Sequence, residues 1–238
     1  MNNNINYNKF LRQITLSGFG VEKQLLLNNA KVLIIGAGGL GCPALLYLAA
    51  AGVGTLGLVD FDLVEMSNLH RQILYGVSDV GKSKVAVAAK KVNLLHPEVN
   101  INCYDERITI DNIASIIKDY DIILDGTDDV DTKYLINDTC FNMNIPLVFG
   151  SIYQYEGQVA IFNGKDALSN YRKLFPTPPA SDSIFTCNVM GVLGVLPGII
   201  GTIQASETIK TLTGIGDTLL NKLLIINILK NTFYEIDL

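Results

Sequence analysis

The residues best suited to chemistry fall into three groups: a glycine turn, Gly36-Ala37-Gly38-Gly39-Leu40-Gly41; a mixed polar set; and an acidic turn, Gly126-Thr127-Asp128-Asp129. The mixed set comprises Asp60-Phe61-Asp62, then Ser67-Asn68-Leu69-His70-Arg71-Gln72, then Lys84. Gly36 permits a tight turn, Gly38 and Gly39 let backbone N–H groups approach a phosphate, and Gly41 lets the following helix pack close to a sheet. The N-terminus of that helix favours negative charge. Asp60, about twenty residues past the glycines, is placed to accept hydrogen bonds from ribose hydroxyls. A triphosphate further needs compact positive charge, which Arg71 and Lys84 supply, and a carboxylate for Mg²⁺, which Asp128 supplies. The glycine turn by itself serves NAD and ATP alike, but NAD needs neither the cations nor the metal ligand. Other readings stand beside these. Arg71 and Lys84 also fit solvated surface cations, Asp128 a cap for the helix that follows, and His70 a structural role. Asp62 and Asp129 fit either ligand contacts or loop-shaping hydrogen bonds, and Ser67 and Asn68 are candidate ligand contacts.

These residues need a particular scaffold. Residues 32–35 (VLII) are apolar without alternation, as a parallel strand buried on both faces requires, and lead directly into the glycine turn. A helix, then a second strand ending at Asp60, complete a βαβ unit. Helical stretches are predicted at 82–95, 113–118 and 131–143, and strands at 99–104, 121–124, 146–149 and 157–162. This alternation implies an α/β fold with a Rossmann-like, mostly parallel sheet, helices on both faces, and a ligand beyond the carboxyl ends of the strands. A helix is expected over 189–212, and 220–238 reads as an antiparallel pair of strands split near Lys230-Asn231. The expected organisation is one domain over 1–238: an N-terminal helical arm (1–30), a nucleotide-binding core (31–162), a mobile crossover loop (163–187) containing Pro176, Pro178 and Pro179, and a C-terminal helix with strands (188–238).

The chain has 238 residues and a net charge of −5, with no basic run, which argues against nucleic acid or an anionic membrane surface as partner. The polar, Asn-rich first ten residues lack the apolar stretch of a secretory signal, so a cytoplasmic location is expected. Four cysteines, Cys42, Cys103, Cys140 and Cys187, occur without any CxxC pair, and there are two histidines, so neither a disulfide framework nor a cysteine-rich zinc site is supported.

The motifs together resemble the adenylyltransferases that activate ubiquitin-like sulfur carriers, the ThiF/MoeB group related to ubiquitin-activating enzymes. The resemblance is carried by KFLRQITL around Arg12, GAGGLG, VDFDLVEMSNLHRQ, VGKSKV, DGTDD, the GQV strand and GVLGVLPGIIGTIQASETIK. It implies ATP-dependent adenylation of a carrier's C-terminal glycine, with pyrophosphate released, for thiamin or molybdopterin biosynthesis. Gly39 and its neighbours would hold phosphate, Asp60 the ribose, and Asn68, Arg71 and Lys84 the polyphosphate, with Asp128 on Mg²⁺. Arg12 matches an arginine that such proteins insert into the partner subunit's site, which implies a homodimer. Cys187, in FTCNVMG, matches a cysteine assigned a covalent link to the activated carrier in the thiamin branch. The structural zinc common in the group is expected to be absent, because its first CxxC position reads Asn170-Tyr171-Arg172-Lys173 and the last residues supply no second pair. Residues 163–186 are accordingly expected to be less restrained than in zinc-bound relatives. The carrier branch stays open, with a lean toward thiamin because no rhodanese-like domain is appended. The rivals are a non-catalytic partner subunit and an NAD- or FAD-dependent oxidoreductase on the same turn.

Overall fold

The structure is a computed structural model that describes residues 6–164, 167–178 and 191–238. Its centre is an eight-stranded sheet in the order β3-β2-β1-β4-β5-β6-β7-β8. The strands are β1 (Lys31–Ile35), β2 (Thr55–Val59), β3 (Asn100–Tyr104), β4 (Ile122–Asp125), β5 (Leu147–Tyr153), β6 (Glu156–Phe162), β7 (Lys222–Asn227) and β8 (Thr232–Asp237). Pairing is parallel from β3 through β5 and antiparallel from β5 to β8. The Rossmann-like sheet with antiparallel C-terminal strands is therefore the fold that the alternation of patterns predicts.

The apolar run of β1 explains its central place. Val32 and Ile34 enter the core on one face of the sheet, and Leu33 and Ile35 enter the core on the other. Each such side chain contributes roughly 1.5–3 kcal/mol by leaving water. Six helices cover the sheet up to β5: α1 (Tyr7–Ile14), α2 (Gly20–Asn29), α3 (Gly41–Ala51), α4 (Lys84–Leu95), α5 (Ile113–Ile117) and α6 (Val130–Met143). Among the described residues two more follow β6, the short α7 (Tyr171–Leu174) and the long α8 (Val195–Thr213). Helix α3 is apolar and largely buried: Leu45, Leu48 and Ala49 enter the core, while Tyr47 is exposed on the opposite face. It ends at Gly52, whose left-handed φ of 87° lets its N–H bond back to Ala49 and Leu48.

Strand order reverses between β1 and β4, both parallel to their neighbours, and this opens a crevice at their carboxyl ends. The glycine turn leaves β1 here and the acidic turn leaves β4. The two turns touch through backbone: a Cβ at Gly36 would lie 2.7 Å from the Gly126 carbonyl oxygen.

One expectation is corrected. Helix α8 begins at Val195, and residues 191–194 are not helical. Gly191 has φ of 72°, and a Cβ at Gly194 would overlap the His70 carbonyl oxygen, so these glycines serve a turn and a close approach. The described part of 163–187 is tied to the body by side-chain contacts. Tyr171, buried, packs against Tyr134, Phe149 and Phe175, with ring centroids 4.8, 5.3 and 4.9 Å away. Arg172 donates two hydrogen bonds of 2.7 Å to Asp138, and the Asn137 side chain accepts from the Tyr171 N–H at 3.0 Å.

Candidate active site

The crevice holds a cavity of about 670 Å³, the size of a cofactor or nucleotide site. Gly36, Gly38 and Gly39 line it from β1, Asp60 and Asp62 from the end of β2, Ser67, Asn68 and Arg71 from the loop beyond, Lys84 from the start of α4, and Asp128 and Asp129 from the β4 turn. The fold thus brings together residues as far apart in the chain as Gly36 and Asp129, as the motifs require. Gly41 stands behind this wall. A Cβ there would overlap the Gly36 carbonyl oxygen, so its contribution is the close approach of α3 to the turn.

Asp60 is fixed by local donors. One carboxylate oxygen accepts from the Ala37 N–H at 2.7 Å and the other from the Asp62 N–H at 2.9 Å. Burial pushes its pKa above the ordinary carboxylate value, opposed by the Lys84 ammonium and those two N–H groups. Lys84 is itself buried and donates to Asp62 at 2.7 Å, with Asp60 4.0 Å away. It is therefore an internal cation at the rim of the cavity, not a solvated surface one. Arg71 donates to the Ser67 carbonyl at 3.1 Å and contacts the His70 ring nitrogen at 2.9 Å, so His70 orients the guanidinium.

The acidic turn divides its labour differently from the sequence reading. Asp129, not Asp128, is the N-cap of α6, accepting from the Thr132 N–H at 2.9 Å. Asp128 is exposed to the cavity and makes no hydrogen bond or ion pair with the described residues, which leaves both oxygens available. Among the described residues no group of three or more His, Cys, Asp or Glu could cage a metal. One free carboxylate beside a phosphate cradle suits Mg²⁺, which keeps waters and phosphate oxygens among its ligands. Gln72 is buried, lines the cavity beside Gly38, and has its side-chain oxygen unpartnered among the described residues.

Sequence reading missed Gln72 as a site residue, and also Lys133, Arg107 and Phe61, which line the same cavity. The Arg107 guanidinium lies 4.8 Å from the Phe61 ring centroid. Lys133 sits on the third position past the α6 cap region with no motif around it. The one available signal was its spacing from Asp125, the charged end of an apolar strand.

Arg12 is not in the cavity of its own chain. It lies exposed on α1, whose Phe10 is buried against the end of α3, 2.7 Å from where a Cβ at Gly52 would stand. Lys9 reinforces this dock by pairing with Glu98 and the His96 ring. Cys187 lies outside the described residues. Cys42 is buried, and desolvation pushes its thiol up to about 12, so it is inert at neutral pH. No helix among the described residues is long and apolar enough to cross a membrane.

The model of the ThiF family matches residues 10–238. The chain belongs to the ThiF family. Within it, the chain is 44% identical over 96% of its length to the sulfur carrier protein adenylyltransferase of Thermus thermophilus, covering 86% of that protein. It is also 44% identical, again over 96% of its length, to the Mycobacterium tuberculosis protein named "Probable adenylyltransferase/sulfurtransferase MoeZ". It spans 59% of the length of that ThiF-family relative. Among solved structures, Escherichia coli MccB with AMPCPP and MccA superposes with a TM-score of 0.87 at 22% identity, covering 99% of this chain and 72% of that one, a likeness of fold.

Proposed function

We propose that this ThiF-family chain adenylates the C-terminal glycine carboxylate of a ubiquitin-like sulfur carrier ending in Gly-Gly, consuming ATP and releasing pyrophosphate. The observation that carries the reading is the convergence of a glycine turn, Arg71, Lys84 and the unpaired Asp128 on one cavity. In this reading the carrier carboxylate attacks the α-phosphorus, the bond to the bridging oxygen breaks, and pyrophosphate leaves with the electron pair. A carboxylate is already a competent nucleophile at neutral pH, so no general base is required. The chain supplies position and charge. The turn's N–H groups and α3 hold phosphate, Asp60 accepts from the ribose, and Asn68, Arg71 and Lys84 offset the negative charge of the polyphosphate. Asp128 would hold Mg²⁺, which when bound neutralises phosphate charge.

Arg12 supports a homodimer with shared sites, since α1 is docked to its own subunit while its arginine faces away from that subunit's cavity. A covalent carrier link at Cys187 is retained as part of the proposal and is checked by intact mass after incubation with carrier and ATP. Zinc is proposed to be dispensable, which metal analysis of active protein checks.

The test is carrier-dependent exchange of labelled pyrophosphate into ATP, with thiamin-type and molybdopterin-type carriers offered separately. Exchange with one carrier supports the reading and names the branch. ATP binding with no exchange for either favours the non-catalytic partner. Mixing inactive Arg12→Ala and Asp128→Ala chains should restore about a quarter of wild-type exchange if subunits reassort freely and share sites. No recovery on mixing would remove the shared-site arrangement.

A further inference from the structure

Asp125 and Lys133 form a buried ion pair beneath the acidic turn, 1% and 6% exposed, at 2.9 Å. As a source of stability such a pair is poor, because desolvating two charges offsets their attraction and apolar side chains of like volume serve as well. Its connections indicate another use. The second oxygen of Asp125 accepts from both the N–H and the hydroxyl of Thr127, at 2.9 and 2.7 Å. Lys133 donates a second hydrogen bond to the Gly150 carbonyl on β5 at 2.8 Å. The Asp125 carbonyl accepts from Gln204 of α8 at 2.7 Å, and the Gln204 amide occupies the space that a Cβ at Gly150 would need. Strand β4, helix α6, strand β5 and helix α8 are thereby joined around the Asp125–Lys133 pair.

Asp128 lies between two anchored neighbours. On its N-terminal side Thr127 is held by Asp125. On its C-terminal side Asp129 is held by Thr132, on the helix that carries Lys133. Asp128 makes no contact of its own that would place its side chain, so its position follows from these two ties. We propose that Asp125 and Lys133 are positioning residues that set the aim of Asp128 at the metal of a bound metal–nucleotide complex. This rests on the reading of Asp128 as the metal ligand in the proposed adenylation.

The test measures binding, independently of turnover. Mn²⁺ is titrated by electron paramagnetic resonance into the full chain with a non-hydrolysable ATP analogue, and metal-free nucleotide binding is measured with a fluorescent ATP. Lys133→Met should weaken Mn²⁺ about tenfold, well beyond any loss of metal-free nucleotide binding, and be rescued by Lys133→Arg. Thr127→Val, which removes only the hydroxyl bond to Asp125, should weaken Mn²⁺ about threefold, and it decides the matter if Lys133→Met does not fold. The proposal is overturned by unchanged Mn²⁺ affinity in the folded variants, by an equal loss of metal-free nucleotide binding, by failure of arginine to rescue, or by absence of Mn²⁺ binding in the wild type. Wild-type Mn²⁺ binding with the expected pattern but no pyrophosphate exchange would leave this proposal standing and remove the adenylation reading, so the two failures are distinguishable.

Discussion

On the β1 side of the cavity the wall is backbone, and on the β4 side it is side chain. Around Gly36 and Gly41 there is no space for a Cβ, because the turn, α3 and Gly126 approach to within carbonyl contact. Around Asp128 the carboxylate stands clear, between Thr127, bonded to Asp125 of β4, and Asp129, bonded to Thr132 of α6. In the proposed function the first wall binds by shape, with donors that belong to the main chain. The second binds by charge, with side chains. Lys84 lies between these extremes, a charged group that is also buried.

Substitutions sharpen this contrast. Gly41→Ala should have the largest effect, because its Cβ meets backbone that cannot give way: at least roughly 3 kcal/mol of stability lost in denaturant titration, with ATP binding lost as well. Gly38→Ala, whose Cβ would meet only the Gln72 amide at 3.7 Å, should fold normally. If both variants unfold alike, the shape argument for this wall fails. Asp128→Ala should leave the denaturant midpoint unchanged while lowering pyrophosphate exchange by about 10²–10³. A stability loss matching that of Gly41→Ala would erase the distinction between the walls.

Lys84→Met should fall between them, costing about 1–3 kcal/mol near neutral pH. The pH dependence gives the cause. Asp60 has a raised folded pKa, so its contribution is fully present below the unfolded carboxylate value and is lost as pH rises through the folded one. Removing Lys84 removes the cation that opposes this rise, so the cost of the variant should grow as pH rises above the unfolded carboxylate value. A cost independent of pH would show that Lys84 acts by packing alone.

The scaffold was legible because its signals are local. Buried parallel strands write themselves as unbroken apolar runs, and the glycine turn, the strand before it and Asp60 are contiguous. The site residues that carry motifs were legible for the same reason. Lys133 was not, because its partners lie eight residues away at Asp125 and across the sheet at Gly150, and only tertiary packing unites them. The cap of α6 was ambiguous because Asp128, Asp129 and Asp131 crowd one helix start, and any of them has the chemistry. The start of α8 was misplaced because an apolar, glycine-bearing run reads the same whether its glycines bend the chain or admit a neighbour. Tyr171 looked like part of a loose loop because the aromatic residues that receive it come from α6, β5 and β6.

Helix α3 is a stiff strut of about 16 Å. One end abuts the phosphate turn, and the other, at Gly52, forms the socket for Phe10 on the arm that carries Arg12. The arm is therefore gauged against the glycine turn of its own chain, which in the proposed dimer precedes its meeting with another copy. Loosening that socket, by enlarging Gly52 or shortening Phe10, would leave the local cradle intact and unsettle the reach of the arm, separating a fault in delivery from a fault in nucleotide capture.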